Sequence, residues 1–300
     1  MTKDIIMSCL PPRVRQELKK ISDAEFEKLT EIRLRVNEPV FVYSGQKEKL
    51  YMNTSMLKAE DLLQTLELVS NYSLYAVEEE IKQGYITIKG GHRIGISGKA
   101  VLEEGKIKTI RNLNSINIRI SHQLIGCAEN LYKQLFNNDK LYHIIIAGPP
   151  MCGKTTILRD ISRILSNSGR NISLIDERSE LAGCFNGIPQ NDVGQRTDVM
   201  DSCPKALAMM LMLRSMSPEI IVADEIGRRD DIYAIEEVIN SGIKLICTVH
   251  ANDLEDMKKR PVLKEILNKN IFEKIVILSK RNGIGTIEKI YDVRGENCDI

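Results

Sequence analysis

The stretch His143-Ile144-Ile145-Ile146-Ala147, followed by Gly148-Pro149-Pro150-Met151-Cys152-Gly153-Lys154-Thr155-Thr156, decides the fold. An apolar strand runs into a loop with glycine at each end, and a helical pattern over Thr155–Leu165 follows at once. A loop that cradles phosphate needs backbone N–H groups able to converge on oxygen atoms. It also needs a cation for the outer phosphates and a hydroxyl for magnesium. Gly148 and Gly153 free the backbone, Lys154 is the cation and Thr155 the hydroxyl. The helix opening at Lys154 adds the positive end of its dipole. A Gly/Pro turn before an ordinary capped helix is the structural alternative, and the flanking strand and helix argue against it. Gly148 through Thr156 are therefore the candidate nucleotide-binding residues.

Downstream, apolar runs alternate with amphipathic ones, the signature of a parallel sheet with helical crossovers. Strands are predicted at Asn171–Ile175, Glu219–Ala223 and Ile243–Val249, and helices at Lys205–Met216 and Asp230–Asn240. Glu273–Leu278 and Gly285–Val293 read as two more strands turning around Asn282-Gly283, a hairpin signal. The run Glu219–Glu225 (EIIVADE) ends in two acids about seventy residues past the loop. In such a site Asp224 holds Mg2+, directly or through water, and Glu225 polarises the water that attacks a γ-phosphate. A strand cap with solvated carboxylates is the alternative, and the pairing with the phosphate loop favours catalysis. The Asp-Glu pair separates the chain from guanine-nucleotide switches and kinases. It points to an ATPase with an added strand between the loop-bearing strand and the acidic one.

Other polar groups cluster at predicted strand ends. Asp176, Glu177 and Glu180 follow the second core strand, where acids face the nucleotide crevice. A loop salt-bridged through Arg178 is the alternative. His250 ends IKLICTVH with Thr248 on the same side of the strand, where a γ-phosphate sensor belongs; a structural histidine remains open. Arg196, Arg228 and Arg229 can neutralise phosphoryl charge, though spacing alone favours surface ion pairs. The methionines at 209, 210, 212 and 216 favour a buried helix over a binding groove.

Upstream of residues 125–142 the pattern becomes mixed α/β. Strand-like pieces at Glu31–Asn37, Val40–Tyr43, Tyr85–Lys89, Arg93–Ser97, Lys106–Ile110 and Ser115–Ile120 are punctuated by glycines, including Gly90-Gly91, Gly98 and Gly105. Helical stretches fall at Ala59–Leu68 and Ala76–Gln83. Arg93 and Arg111 here are either arginine contacts to a nucleotide or solvated charge on a β surface. The expected organisation is a mixed α/β domain over 1–130 and a nucleotide-binding domain over 131–300. A net charge of +1, no Trp and 5% aromatics argue against a nucleic-acid coat and a base-stacking platform. Seven cysteines scattered without CxxC pairs give neither a disulfide framework nor a zinc site. Neither a leader peptide nor a membrane-spanning run is read, so a cytosolic location with any membrane role through partners is expected.

Taken together, GPPMCGKTTILRD, LIDERSE, DVGQRTDVMDSCPKA, LRSMSPEIIVADEIG and CTVHAND resemble the stage III sporulation protein AA family. The upstream EIRLRVNEPV, GGHRIGISGKAV and NSINIRI extend the resemblance over most of the chain. That family belongs to the secretion ATPases of type II and type IV secretion and pilus motors. The resemblance implies an α/β fold: a RecA-like P-loop NTPase core behind a smaller N-terminal mixed α/β domain. It implies ATP and Mg2+ as ligands and a homo-oligomer, a hexamer, in the mother cell. The ring would energise a membrane-embedded sporulation channel between mother cell and forespore. It places Asp176–Glu180 on an aspartate box, with Glu180 catalytic beside Glu225, Lys154 and His250, and Thr248–His250 on a histidine box. Arg93 and Arg111, with Arg196, are its candidate arginine contacts. The tetracysteine zinc module of many type II secretion ATPases is missing from this sequence. A nucleic-acid-dependent motor and an ATP-dependent assembly scaffold are the competing functions.

Overall fold

The computed structural model describes residues 2–45, 47–51, 56–136, 140–292 and 297–298. The chain divides into two compact units, Met1–His122 with Gly183–Gln190, and Gln123–Ala182 with Asn191–Ile300. No helix among the described residues is long and apolar enough to cross a membrane.

The first unit opens with short helices α1 (Thr2–Ser8), α2 (Pro12–Leu18) and α3 (Asp23–Phe26). Then come β1 (Glu31–Arg35), β2 (Val40–Ser44), β3 (Lys47–Tyr51), α4 (Ala59–Val69) and α5 (Glu78–Gln83). A hairpin system of β4 (Tyr85–Ile88), β5 (His92–Glu103) and β6 (Lys106–Arg119) completes it. The six strands form one sheet in the order β3-β2-β1-β6-β5-β4, antiparallel throughout. Ile32, Leu34, Ile94, Ile116 and Ile118 alternate with polar neighbours, so one face carries the core. Two of the predicted strand breaks are absent. Gly98 lies inside β5, where the pairing slips between Ser97 and Lys99. A side chain there would come 2.5 Å from the Arg111 carbonyl oxygen, so glycine marks a bulge with close backbone approach. Lys106–Ile110 and Ser115–Ile120 are likewise one strand.

The second unit begins with α6 (Glu129–Leu135) and then β7 (Ile144–Gly148), α7 (Lys154–Asn167), β8 (Ile172–Asp176), β9 (Thr197–Asp201) and α8 (Lys205–Ser215). It continues with β10 (Ile220–Ala223), α9 (Arg229–Asn240), β11 (Lys244–His250), α10 (Leu254–Lys259) and α11 (Pro261–Asn268). The hairpin strands β12 (Lys274–Ser279) and β13 (Thr286–Asp292), then β14 (Asn297–Cys298), end it. Val293, the last residue of the predicted tail strand, lies outside the described residues. The sheet order is β14-β13-β12-β7-β11-β10-β8-β9. It is parallel from β12 to β9 and antiparallel at the tail. β11 stands between β7 and β10, so the added strand is where the Asp-Glu pair places it. β7, β8 and β10 are buried at every position because both sheet faces are covered. Ile145, Ala147, Ile221 and Leu245 pack with Ala208, Met209, Ile235 and Val238 of α8 and α9. Met209 and Met212 are buried, but Leu207, Leu211 and Met216 are exposed, so α8 buries one face rather than its whole circumference.

Candidate functional site: the carboxyl edge of the parallel sheet

Parallel strands all end on one edge, and that edge collects the ends of β7, β8, β10 and β11. The chain leaves β7 at Gly148, whose added Cβ would stand 2.5 Å from Cys152 Sγ and 2.9 Å from the Leu278 carbonyl oxygen. Only glycine fits this crowded turn. Gly153 takes φ +95 as the cap of α7, a left-handed conformation that glycine adopts without strain. Gly285 of the β12–β13 connection donates its N–H to the Cys152 carbonyl at 2.9 Å, tying that hairpin to the loop. Cys152 is buried, and Met151 at the loop tip is 84% exposed. Pro149 and Pro150 complete the tip, and Thr156, half-buried, sits in the first turn of α7.

Lys154 is buried at the start of α7 and points back into its own loop. Its Nζ donates to the carbonyls of Gly148 and Pro149, both at 2.9 Å, and lies 3.1 Å from His250 Nδ1. A protonated lysine has only protons to give, so His250 Nδ1 accepts and Nε2 carries the hydrogen. That Nε2 donates to Glu225 Oε1 at 2.6 Å. A continuous Lys154–His250–Glu225 relay results. Burial lowers the Lys154 pKa, opposed by the nearby carboxylates of Asp224 and Glu225 among others.

A second chain runs beside it. Thr155 Oγ1 donates to Asp224 Oδ2 at 3.0 Å, and Thr248 Oγ1 donates to Asp224 Oδ1. The Thr248 hydroxyl also accepts from the Glu225 N–H at 2.8 Å, and the Thr248 carbonyl accepts from the Ile226 N–H at 2.9 Å. Glu225 has φ 51, unusual for a residue with a side chain, and Thr248 holds the turn that imposes it. This turn brings two adjacent acids to one edge. Burial pushes the Asp224 carboxyl up; Thr248 and Thr155 pull it down, while Glu225 and Glu180 reinforce the rise. A buried carboxylate crowded by like charge is a ready partner for a hard cation.

The acids at the end of β8 and just beyond it are engaged in different ways. Asp176 accepts from the N–H groups of Glu180, Leu181 and Ala182 at 2.7, 3.0 and 2.8 Å, folding its own loop. Burial raises its pKa and those amides oppose the rise. Glu177 pairs with Lys205 and, at 3.0 Å, with Arg228. Glu180 is half-buried and close enough to affect Asp224 electrostatically. Arg178 pairs with Glu225, at 2.8 Å from Oε2.

The edge therefore gathers Gly148–Thr156, Asp224, Glu225, Glu180, Thr248 and His250. Arg196 is not brought there: it precedes β9, and Ile172 at the start of β8 donates its N–H to the Arg196 carbonyl. That is the amino edge of the sheet, opposite the loop. Arg93 and Arg111 belong to the first unit, Arg93 over the Tyr85 ring at 4.7 Å and Arg111 across from Lys99. Sequence reading passed over Arg159, a buried α7 residue donating to the carbonyls of Leu181 and Glu180, both at 2.6 Å. Arg178, expected from the sequence as a loop partner, reaches Glu225.

The family model described as "Sporulation stage III, protein AA" matches residues 1–298. The chain belongs to that family. It is 43% identical to the stage III sporulation protein AA of Bacillus subtilis (strain 168) over 297 residues, covering 97% of this chain and 95% of that protein. It is also 23% identical over 254 residues to the putative type II secretion system protein E of Escherichia coli (strain K12), covering 83% of this chain and 48% of that one. Among solved structures, the Yersinia pseudotuberculosis ATPase DotB matches with a TM-score of 0.63 at 16% identity, over 95% of this chain and 81% of that one. The pilus retraction motor PilT with bound ADP matches with a TM-score of 0.62 at 15% identity, over 91% and 81%. The family member thus carries the RecA-like fold of secretion ATPases, as its sequence resemblance implies.

Proposed function

We propose that the chain is an ATP hydrolase, converting ATP and water to ADP and phosphate. The observation that carries this reading is the meeting of two side-chain chains at one sheet edge, Lys154–His250–Glu225 and Thr155–Asp224–Thr248. In this reading the Gly148–Gly153 backbone and Lys154 hold the β- and γ-phosphates. Glu225 orients the attacking water and takes up its proton. His250 fixes the plane of that carboxylate and links it to Lys154, so phosphate binding at Lys154 is felt at the base.

The donor set fits magnesium. Thr155 and Asp224 offer hard oxygens, and among the described residues no group of three or more His, Cys, Asp or Glu could hold a metal alone. Magnesium characteristically uses one or two such ligands together with phosphate oxygens. When bound, the ion would neutralise charge on the β- and γ-phosphates. Glu180 contributes negative potential next to Asp224 and is a catalytic candidate of lower rank than Glu225.

Beyond hydrolysis, membership of the sporulation family and the fold shared with a retraction motor support a mechanical role. The chain would act as a homo-oligomeric ring, a hexamer, in the mother-cell cytoplasm. It would be held at the membrane by channel proteins and energise transport between mother cell and forespore. The testing experiment is magnesium-dependent phosphate release by the full chain, with Lys154→Ala losing nucleotide binding. A Lys154→Ala protein that binds ATP as the parent does contradicts the reading. In sporulating cells, Glu225→Gln should fail to support the process; full activity there would favour an ATP-stabilised scaffold.

A further inference from the structure

The loop after β8 is anchored firmly in its backbone and carries one well-exposed arginine. Asp176 binds three of its amides, and the Ser179 hydroxyl donates to Asp201 Oδ1 at 2.5 Å. Ser179 takes φ 52 in the tight turn that follows Arg178. The Arg178 side chain, by contrast, is 61% exposed and reaches the outer oxygen of Glu225 through NH1 at 2.8 Å. The other Glu225 oxygen is held by His250, which in turn meets Lys154. Two cations, Lys154 and Arg178, therefore bracket the carboxylate proposed as the base.

Three other arginines of this unit are engaged elsewhere. Arg159 is buried on two carbonyls, Arg163 binds Asp160, and Arg228 binds Glu177. Arg178 is the guanidinium that the fold delivers to Glu225. An ion pair whose arginine is this exposed is weakly held, whereas a guanidinium matches phosphate oxygens with two parallel donors. A triphosphate at Lys154 brings that better anion to the same edge.

We propose that Arg178 is a ligand, from the same chain, for the terminal phosphate of the nucleotide, and that it rests on Glu225 until that phosphate arrives. This rests on the ATP reading above. The carboxylate is then released to bind water only when the nucleotide is a triphosphate. Arg178 thereby distinguishes ATP from ADP and couples base readiness to substrate identity.

The test is calorimetric binding of a non-hydrolysable ATP analogue and of ADP, each with Mg2+, to the full chain. Arg178→Ala should weaken the analogue by about tenfold or more, while ADP changes by less than about twofold. Arg178→Lys, which keeps the charge and loses the fork, should fall between. Glu225→Gln should tighten the analogue relative to ADP by freeing Arg178, and Arg178→Ala in that background should abolish the gain. Analogue and ADP moving together, or neither moving, overturns the proposal. So does a Glu225→Gln gain that persists without Arg178, because relief of carboxylate–phosphate repulsion would then explain it. Failure of ADP to bind the parent protein overturns the ATP reading itself, a different result from normal ADP binding with an indifferent Arg178.

Discussion

His92 couples the stability of the first unit to pH. It is 2% exposed at the head of β5, and its Nδ1 accepts from the Ser121 N–H at 3.0 Å. Nε2 therefore carries the hydrogen, is buried, and has no hydrogen-bond partner among the described residues. A Cβ on Gly90 would stand 2.7 Å from that nitrogen, so the Gly90-Gly91 turn leaves the ring just enough room. Burial, then the neighbouring His122, lowers the His92 pKa from 6.5 to about 4. The unfolded chain takes up a proton near 6.5 and the folded one does not until about pH 4. The contribution is thus fully present above pH 6.5 and is lost as pH falls toward 4. Between pH 8 and pH 5 the loss amounts to about 2 kcal/mol. Hydrogen exchange of the β5 and β6 amides, converted to opening free energies at the two pH values, reports this unit by itself. His92→Asn keeps an oxygen near Nδ1 to accept from Ser121 and removes the titration. It should be less stable at pH 8 but lose about 2 kcal/mol less than the parent on acidification. Equal losses in parent and variant would refute the burial argument.

Further outcomes follow from the site. Gly148→Ala should cut ADP affinity at least tenfold (roughly 1.4 kcal/mol) and Cys152→Ala should not restore it, because the Leu278 carbonyl remains 2.9 Å from the new Cβ; titration calorimetry checks both. Thr248→Val keeps the shape but loses the bonds to Asp224 and Glu225. One of them is to a charged group, so it should cost roughly 2–4 kcal/mol, seen as a lower melting temperature, and depress turnover more than substrate affinity. Arg159→Leu strips two carbonyls of their donor in a buried loop and should destabilise by about 2–4 kcal/mol in thermal melts.

Much of this was legible because its signals are local. A fully buried parallel strand reads as an apolar run, so β7, β8, β10 and β11 are visible as IIIAG, ISLID, IIVA and KLICTVH. The loop from Gly148 to Gly153 is legible because glycine is required by contacts as close as 2.5 Å. β9 was not: as an edge strand with the polar sequence TDVMD it has no buried run to announce it. Gly98 misled because a bulge and a strand end use the same residue. The excursion of Gly183–Gln190 into the first unit depends on distant partners, such as the Gly90 N–H donating to Gln190 Oε1 at 2.9 Å. At the site, residue types point to a chemistry but not to the pairings. Whether Arg178 faces Glu177, Glu180 or Glu225 depends on how Asp176 folds the loop, and no spacing rule encodes that.

The most direct test of the central claim is the fate of ATP on the Glu225→Gln protein. Incubated with Mg2+ and stoichiometric ATP, the parent chain should return ADP and phosphate. Glu225→Gln should bind ATP at least as tightly as the parent and return it intact, its single-turnover rate lower by at least about a hundredfold. Hydrolysis by Glu225→Gln at the parental rate would contradict the account.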